Sequence, residues 1–376
     1  MKTGILRTRL LSILAAMLML CGAGHAADAL AANMFRHIVA ENDAGNVVFS
    51  PASVEAVLHT LRDGTAGDTR KELAALPYGK RGVASAMRVE CANAIFADMK
   101  RDEVKKNIHF RYAPFLSQPD TAVAQVNAWC RENTHGRIVS ILDKKLPPRT
   151  RLIALNAVYL KETWLRPFPA EQTQREYFVP HSGKKQVVTM MSLETPLRYA
   201  EGKDWQAVAL PYRSQQQGEP GYFIGILPRG NARAFAATLT PDKLAAICKA
   251  LSHARPEPTL VNLPRFEISA PAISLAPALK ALGVNLVFSE AADFSELTTV
   301  PLSLKDVLQK CYVKVDEEGT EAAAVTAAIG VDCCMPLDDK LHRICFNRPF
   351  LWIIGDLTTE APPYFMGLTE DIAPAE

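Results

Sequence analysis

Asp316-Glu317-Glu318-Gly319-Thr320-Glu321-Ala322-Ala323-Ala324-Val325-Thr326-Ala327-Ala328 is the stretch on which the reading of this chain turns. Acids and a glycine lead into a run dominated by small side chains. In a strand, alternate side chains point to opposite faces, so one face carries Thr320, Ala322, Ala324, Thr326 and Ala328. None of them is large enough to hold a core of its own. Such a segment suits a strand that slides into a space other residues already define. The plainer alternative is an alanine-rich surface helix or linker, because alanine favours helix.

Outward from this stretch, helical patterns concentrate early and strand patterns late. The pattern predicts helices over 28–39, from Ser50-Pro51 through 61, over 69–73, 122–133, 240–251 and 276–282. Serine there stands at the cap position and proline in the first turn. Strands are predicted over 47–49, 90–96, 151–160, 207–211, 222–227, 260–268, 349–355 and 364–367. Without regular βαβ alternation, α+β is favoured over a doubly wound sheet. A chain of 376 residues with 48% apolar composition can bury a sizeable core in one large domain. The net charge of +2, with basic residues scattered, gives no electrostatic case for nucleic acid or an anionic membrane.

Residues 1–26 read as a secretory signal peptide, which leaves 27–376 as one domain and implies export, to the periplasm or beyond. Lys2, Arg7 and Arg9 precede an apolar run from Leu10 to Leu20, and Gly24-His25-Ala26 offers small residues before a cleavage point. A lipoprotein anchor at Cys21 is the rival reading, and Leu20 is poorly suited to the position before a lipidated cysteine. Removing Cys21 leaves seven of the eight cysteines, an odd number, irregularly spaced. For Cys91, Cys130, Cys248 and Cys311 the reading is buried or incidental thiols. No cysteine or histidine cluster has metal-ligand spacing, and no cofactor is expected. Nor is there a G-x-S-x-G, an H-E-x-x-H or a glycine-rich phosphate loop to mark an enzyme.

From about Leu30 to the end the chain resembles the serpins, as an exported, bacterial-type member. The resemblance rests on several motifs in the family's order. They include Asn46-Val-Val-Phe-Ser50-Pro-Ala-Ser53, Gly64-Thr-Ala-Gly67, Asn127-Ala-Trp129 with Asn133-Thr134-His-Gly136, and Leu155-Asn156-Ala-Val-Tyr159 running to Trp164-Leu-Arg-Pro-Phe168. Further on come Leu263-Pro264-Arg265-Phe266, Ala292-Asp293-Phe294-Ser295, Phe346-Asn347-Arg348-Pro349-Phe350 and Phe365-Met366-Gly367. The resemblance implies a large central mixed sheet, further sheets, about eight or nine helices and an exposed reactive loop near 317–345.

It also implies a mechanism, that of a suicide inhibitor acting as a monomer on a target protease. The protease attacks the loop as substrate, and the cleaved loop inserts as a new strand before the acyl-enzyme is hydrolysed. Some fourteen residues at about 3.3 Å each must enter, a span on the order of 45 Å. A charged or bulky inward-facing residue would slow that entry. Glu317, Gly319, Thr320, Ala322, Ala323 and Ala324 are the implied hinge, with Gly319 supplying backbone freedom. Ser50, Ser53 and Asn156 are implied to lie buried beneath the opening of the sheet, with Trp164 at its top. Simple capping by Ser50 and an ordinary core role for Trp164 are the alternatives.

The family's register, sixteen residues on from Glu317, puts the cleaved bond at Cys333-Cys334. A neutral residue there suits elastase-like or subtilisin-like enzymes or a papain-like cysteine protease; a slipped register would offer Asp332 or Met335. The vicinal cysteines could instead be redox-labile, or one could pair with Cys345. Three departures stand out. The stretch from Leu73 to Ala92 is short, which argues against a glycosaminoglycan cofactor. Gln309 replaces the family's usual histidine eight residues before the hinge glutamate, and an amide cannot titrate. The loop after the hinge runs about five residues longer than in typical members. A non-inhibitory member serving as a binding, carrier or chaperone protein is the competing reading.

Overall fold

The computed structural model describes residues 26–375 apart from 44, 80–86, 88, 106–109, 143–145, 148–149, 214–219, 321–340 and 358–360. Their elements run α1 (Ala26–Glu41), β1 (Val47–Phe49), α2 (Pro51–Asp63), α3 (Gly67–Ala74), β2 (Val89–Ala97), β3 (Phe110–Tyr112), α4 (Pro119–Asn133), β4 (Leu152–Leu160), β5 (Glu162–Thr163), β6 (Gln174–Phe178), β7 (Gln186–Glu201), β8 (Trp205–Pro211) and β9 (Tyr222–Pro228). Then follow α5 (Ala232–Ala237), α6 (Pro241–His253), β10 (Pro256–Pro264), β11 (Phe266–Ser269), β12 (Ile273–Ser274), α7 (Ala276–Ala281), β13 (Val307–Val315), β14 (Gly319–Thr320), β15 (His342–Cys345), β16 (Phe350–Gly355) and β17 (Phe365–Thr369).

The strands form two sheets. One runs β3-β2-β4-β13-β14-β5, with β11 and β12 also paired to β13; the other runs β1-β17-β16-β9-β8-β7-β10-β15, with β6 beside β7. The first is mixed. β4 runs antiparallel to β2 and parallel to β13, in register from Ala154 with Val307 to Tyr159 with Tyr312. All nine residues of β4 are buried. Both its faces are covered, which is why its sequence is a continuous apolar run rather than an alternation.

On one face, Val158 and Leu160 of β4 and Cys311, Val313 and Val315 of β13 pack against Phe223, Phe350 and Trp352 of the second sheet. On the other lies α4, whose Ala122, Val126, Trp129 and Cys130 meet Phe96, Ile153, Leu155 and Ala157. Burial of each large apolar side chain contributes roughly 1.5–3 kcal/mol. Beyond α4 the chain stays on this face. The His135 ring meets Tyr159 edge-on at 5.9 Å, and the Arg137 guanidinium lies 5.7 Å from the Tyr312 ring. Asn127 holds the returning segment, donating to the Leu142 carbonyl and accepting from the amides of Ile141 and Leu142.

Ser50 stands at the start of α2 with Pro51 in its first turn, as its sequence predicts, yet its hydroxyl makes no capping bond. Cys130, Cys248 and Cys311 are buried and form no disulfide among the described residues, and burial pushes the Cys130 thiol up to about 12. Cys91 has no described side chain.

Candidate functional site: the hinge and the sheet opening

The last residues of β13 run into a tight turn at Asp316–Gly319. The Asp316 amide donates to the Gly319 carbonyl at 2.9 Å, and the Asp316 carboxylate accepts from the amides of Glu318 and Gly319 at 3.1 and 3.3 Å. A short polar side chain that bonds the backbone two residues on is what this turn needs. The chain then reverses into β14, which pairs antiparallel with β13 through Thr320 and Val315, and with β5 on its other side. Thr320 is fully buried there. Gly319 is required by the approach of β5: a Cβ on it would lie 2.1 Å from the Glu162 carbonyl oxygen.

Trp164 ties this turn down. Its indole nitrogen donates to the Asp316 carbonyl and its amide to the Glu318 carbonyl, both at 2.9 Å. The Phe168 amide donates to the Glu317 carbonyl at the same distance. The indole stacks on Tyr212, with ring centres 4.7 Å apart and planes 7° from parallel. Tyr212 in turn shares a hydrogen bond with the Thr320 hydroxyl. Burial pushes the Tyr212 phenol far up, against a smaller lowering by Thr320, so it is neutral at any ordinary pH.

Glu317 is held by its side chain. Arg265 donates from Nε and Nη2 to its two oxygens at 3.1 and 2.6 Å, a bidentate pair, and Thr173 adds a third bond at 2.9 Å. Burial disfavours the charge, but the bonds from Arg265 and Thr173 outweigh it and keep the carboxyl below its ordinary range.

Below the hinge, β4 and β13 lie directly side by side, and beneath their junction is a polar cluster whose members, the exposed Asn93 apart, are buried. Asn156 of β4 donates to the Ser53 hydroxyl and, at 2.6 Å, to Asn93 of β2. Ser53 donates to the same Asn93 oxygen at 3.0 Å. Gln309 of β13 donates to Asn156 at 2.7 Å and to the Ser50 carbonyl at 3.1 Å, and accepts from the Ser50 amide at 2.8 Å. The amide of Gln309 therefore links α2 to both strands by donating and accepting at once, without a titrating group. Ser50 joins this cluster through its backbone alone.

Four residues foreseen from the sequence, Ser50, Ser53, Asn156 and Trp164, thus fall into two groups at opposite ends of one junction. Glu317, Gly319 and Thr320 lie at the upper end; Ala322, Ala323, Ala324, Asp332, Cys333, Cys334 and Met335 lie outside the described residues. Sequence reasoning missed Asn93, Thr173 and Tyr212. Asn93 left a trace, a lone amide in the apolar run Ala92-Asn93-Ala94-Ile95-Phe96. Tyr212 and Thr173 left none, because only the three-dimensional pairing brings them to the hinge. Among the described residues no group of His, Cys, Asp and Glu side chains is placed to hold a metal ion. No described helix is long and apolar enough to cross a membrane.

Comparison with known proteins accords with this geometry. The family model described as Serpin (serine protease inhibitor) matches residues 25–106 and 88–372. Serine protease inhibitor 88Ea of Drosophila melanogaster is 29% identical over 367 residues, covering 87% of this chain and 85% of that protein. Alpha-1-antiproteinase 2 of Equus caballus is 28% identical over 370 residues, covering 90% and 84%. Among solved structures, native protease nexin-1 with heparin superposes with a TM-score of 0.77 at 26% identity, over 93% of this chain and 98% of that one. The native thermophilic serpin tengpin gives 0.76 at 23%, over 93% and 94%, a likeness of fold. Thyroxine-binding globulin in complex with thyroxine gives 0.77 at 21%, over 94% and 99%, again a likeness of fold. With α+β sheets in this order and a family match spanning nearly its whole length, the chain belongs to the serpin family.

Proposed function

We propose that the protein is a suicide-substrate inhibitor of proteases that traps its target by inserting the cleaved reactive loop between β4 and β13. The observation that carries this reading is the seating of Gly319 and Thr320. The chain has already turned at Asp316–Gly319, and Thr320 already occupies the slot between β13 and β5. A strand continuing from Thr320 in the same direction runs down the β4–β13 junction. The residues that follow are Glu321 and then Ala322-Ala323-Ala324-Val325, whose small side chains offer no obstacle to burial. Insertion replaces one β4–β13 ladder with two, so the inserted form gains backbone hydrogen bonds; each is worth about 1 kcal/mol net.

In the reaction, the protease nucleophile adds to the carbonyl of Cys333. The Cys333–Cys334 peptide bond breaks, the Cys334 amine takes a proton and leaves, and an acyl-enzyme remains on Cys333. Insertion then competes with hydrolysis of that acyl bond. A small neutral residue at the bond fits a protease with a small or apolar pocket, of elastase or subtilisin type, or a papain-like cysteine protease. Asp332 and Met335 are the alternative sites. We read the inhibitor as an exported monomer, cleaved after residue 26 and acting without a glycosaminoglycan.

The test is incubation with a panel of serine and cysteine proteases followed by denaturing electrophoresis. A covalent band near the summed masses, with the released peptide beginning at Cys334, is the expected result. If every protease merely cleaves the protein and turns over, the inhibitory reading fails in favour of a binding or carrier role.

A further inference from the structure

A cavity of about 310 Å³ opens behind Trp164, between the turn that follows β5 and strands β7 and β8. Its volume falls at the lower end of the range for small-molecule sites, about 300–1,000 Å³. The walls are mainly apolar, with Leu193, Leu197 and Leu210 among them, and Leu165, half exposed at 49%, also lines it. Two guanidinium groups line the same cavity, those of Arg166 and Arg198. Among the described residues each has neutral acceptors. Arg166 donates to the Thr195 hydroxyl, and Arg198 donates through Nη1 to the carbonyls of Ser252 and Ala254 at 2.9 and 2.6 Å. Each guanidinium carries five N–H donors, and these contacts engage Nη1 alone.

We propose that this cavity binds an amphipathic anion, a small molecule with an apolar body and one carboxylate or sulfonate group. The leucines take the body out of water, and the guanidiniums offer the planar, charge-assisted donors that carboxylates and sulfonates accept best. A neutral hydrocarbon would leave two cations facing an apolar occupant, and a polyanion would place unpaired charge against leucine. The Ser252 and Ala254 carbonyls hold the Arg198 side chain in place, which lowers the entropy lost when the anion binds. The site also abuts the hinge. Trp164 forms one wall of the cavity, and the same indole donates to Asp316 and stacks on Tyr212.

The probe is 1-anilinonaphthalene-8-sulfonate, titrated into the full chain and followed by fluorescence, with decanoate as competitor. Saturable binding at one site per chain, displaced by decanoate, is expected. Arg166→Ala and Leu165→Asp, both at exposed positions, are each expected to weaken the affinity at least fivefold. Arg175→Ala, on β6 away from the cavity, leaves it unchanged, and a thermal melt of each variant establishes that it is folded. Absence of saturable binding to the parent chain overturns the proposal. So does unchanged affinity in either folded cavity variant. The readout is binding alone, so its outcome is independent of whether the chain inhibits a protease.

Discussion

The hydroxyl of Tyr212 lies 2.6 Å from that of Thr320, deep between the two sheets. One residue belongs to the bridge that follows β8 and the other closes the short strand β14. Their bond satisfies the buried Thr320 hydroxyl and holds β14 in its place in the sheet.

Thr320→Arg tests that seat. An arginine here would force a long charged side chain into the buried space of a threonine, beside Tyr212, Trp164 and its register partner Glu162, and would forfeit the bond to the Tyr212 hydroxyl, at a cost of several kcal/mol even with a carboxylate nearby. The expected outcome is a protein that is still cleaved by its target protease but yields little covalent complex, at most a tenth of the parent amount on a denaturing gel. An undiminished complex band would mean that Thr320 need not enter the sheet.

Gly319→Val acts on the backbone instead. The new Cβ would stand 2.1 Å from the Glu162 carbonyl oxygen and 2.7 Å from the Thr163 Cα. Main-chain atoms cannot retreat as a flexible side-chain end can, so β14 must leave β5. The amides of Trp164 and Phe168, which donate to Glu318 and Glu317, are expected to exchange with solvent at least tenfold faster. Unchanged protection at both would contradict this geometry.

Asn156→Ala probes the lower end of the junction. It leaves one N–H of the fully buried Gln309 amide without its acceptor and takes from the buried Ser53 hydroxyl the amide that donates to it. A loss of about 2–3 kcal/mol is expected, measured by urea denaturation. A loss below about 0.5 kcal/mol would show that the cluster relaxes around the gap.

Glu55 gives the chain a pH dependence. It is buried in α2 and accepts from the Gly79 amide, and burial pushes its carboxyl up from 4.5 to about 7. The unfolded chain therefore releases this proton at lower pH than the folded one. Its contribution is neutral below about 4.5, becomes increasingly destabilising as pH rises toward 7, and is constant above. At about 1.4 kcal/mol per pH unit of difference, Glu55→Gln is expected to stabilise the protein by up to about 3 kcal/mol at pH 8, part of the full effect being lost with the carboxylate's bond to the Gly79 amide. The advantage shrinks toward zero at pH 4.5. Denaturation midpoints of both proteins across that interval measure it.

The elements that could be read in the sequence are those whose local pattern and tertiary role agree. β1 coincides with the predicted strand at 47–49, and β4 lies within the predicted 151–160, because an apolar run buried on both faces looks the same from either direction. The predicted strand at 260–268 is split at Arg265 into β10 and β11, because the chain there passes from β7 in one sheet to β13 in the other. β13 was not foreseen, although Val307, Gln309, Cys311, Val313 and Val315 alternate as a half-buried strand should. The buried polar Gln309, third in the strand, hides the pattern, and that residue is the one tying the junction together. Gly319 was legible because a glycine reports a steric demand directly, and the Glu162 carbonyl oxygen supplies that demand. The partners that pin the hinge, Tyr212 and Thr173, answer to pairings more than a hundred residues apart in sequence.

Tyr159 and Tyr312 are register partners across the β4–β13 junction, their rings 6.4 Å apart, and the segment after α4 touches both, through His135 on one side and Arg137 on the other. A strand inserted between them would move the two tyrosines from one strand spacing to two, from about 4.8 to about 9.6 Å. Three residues of chain cannot keep both grips over that distance without reshaping. The segment 135–137 is thus a stitch across a seam. It must give way on one side before the seam can open past this level, and its strength sets a toll on the traveller, not on the doorway.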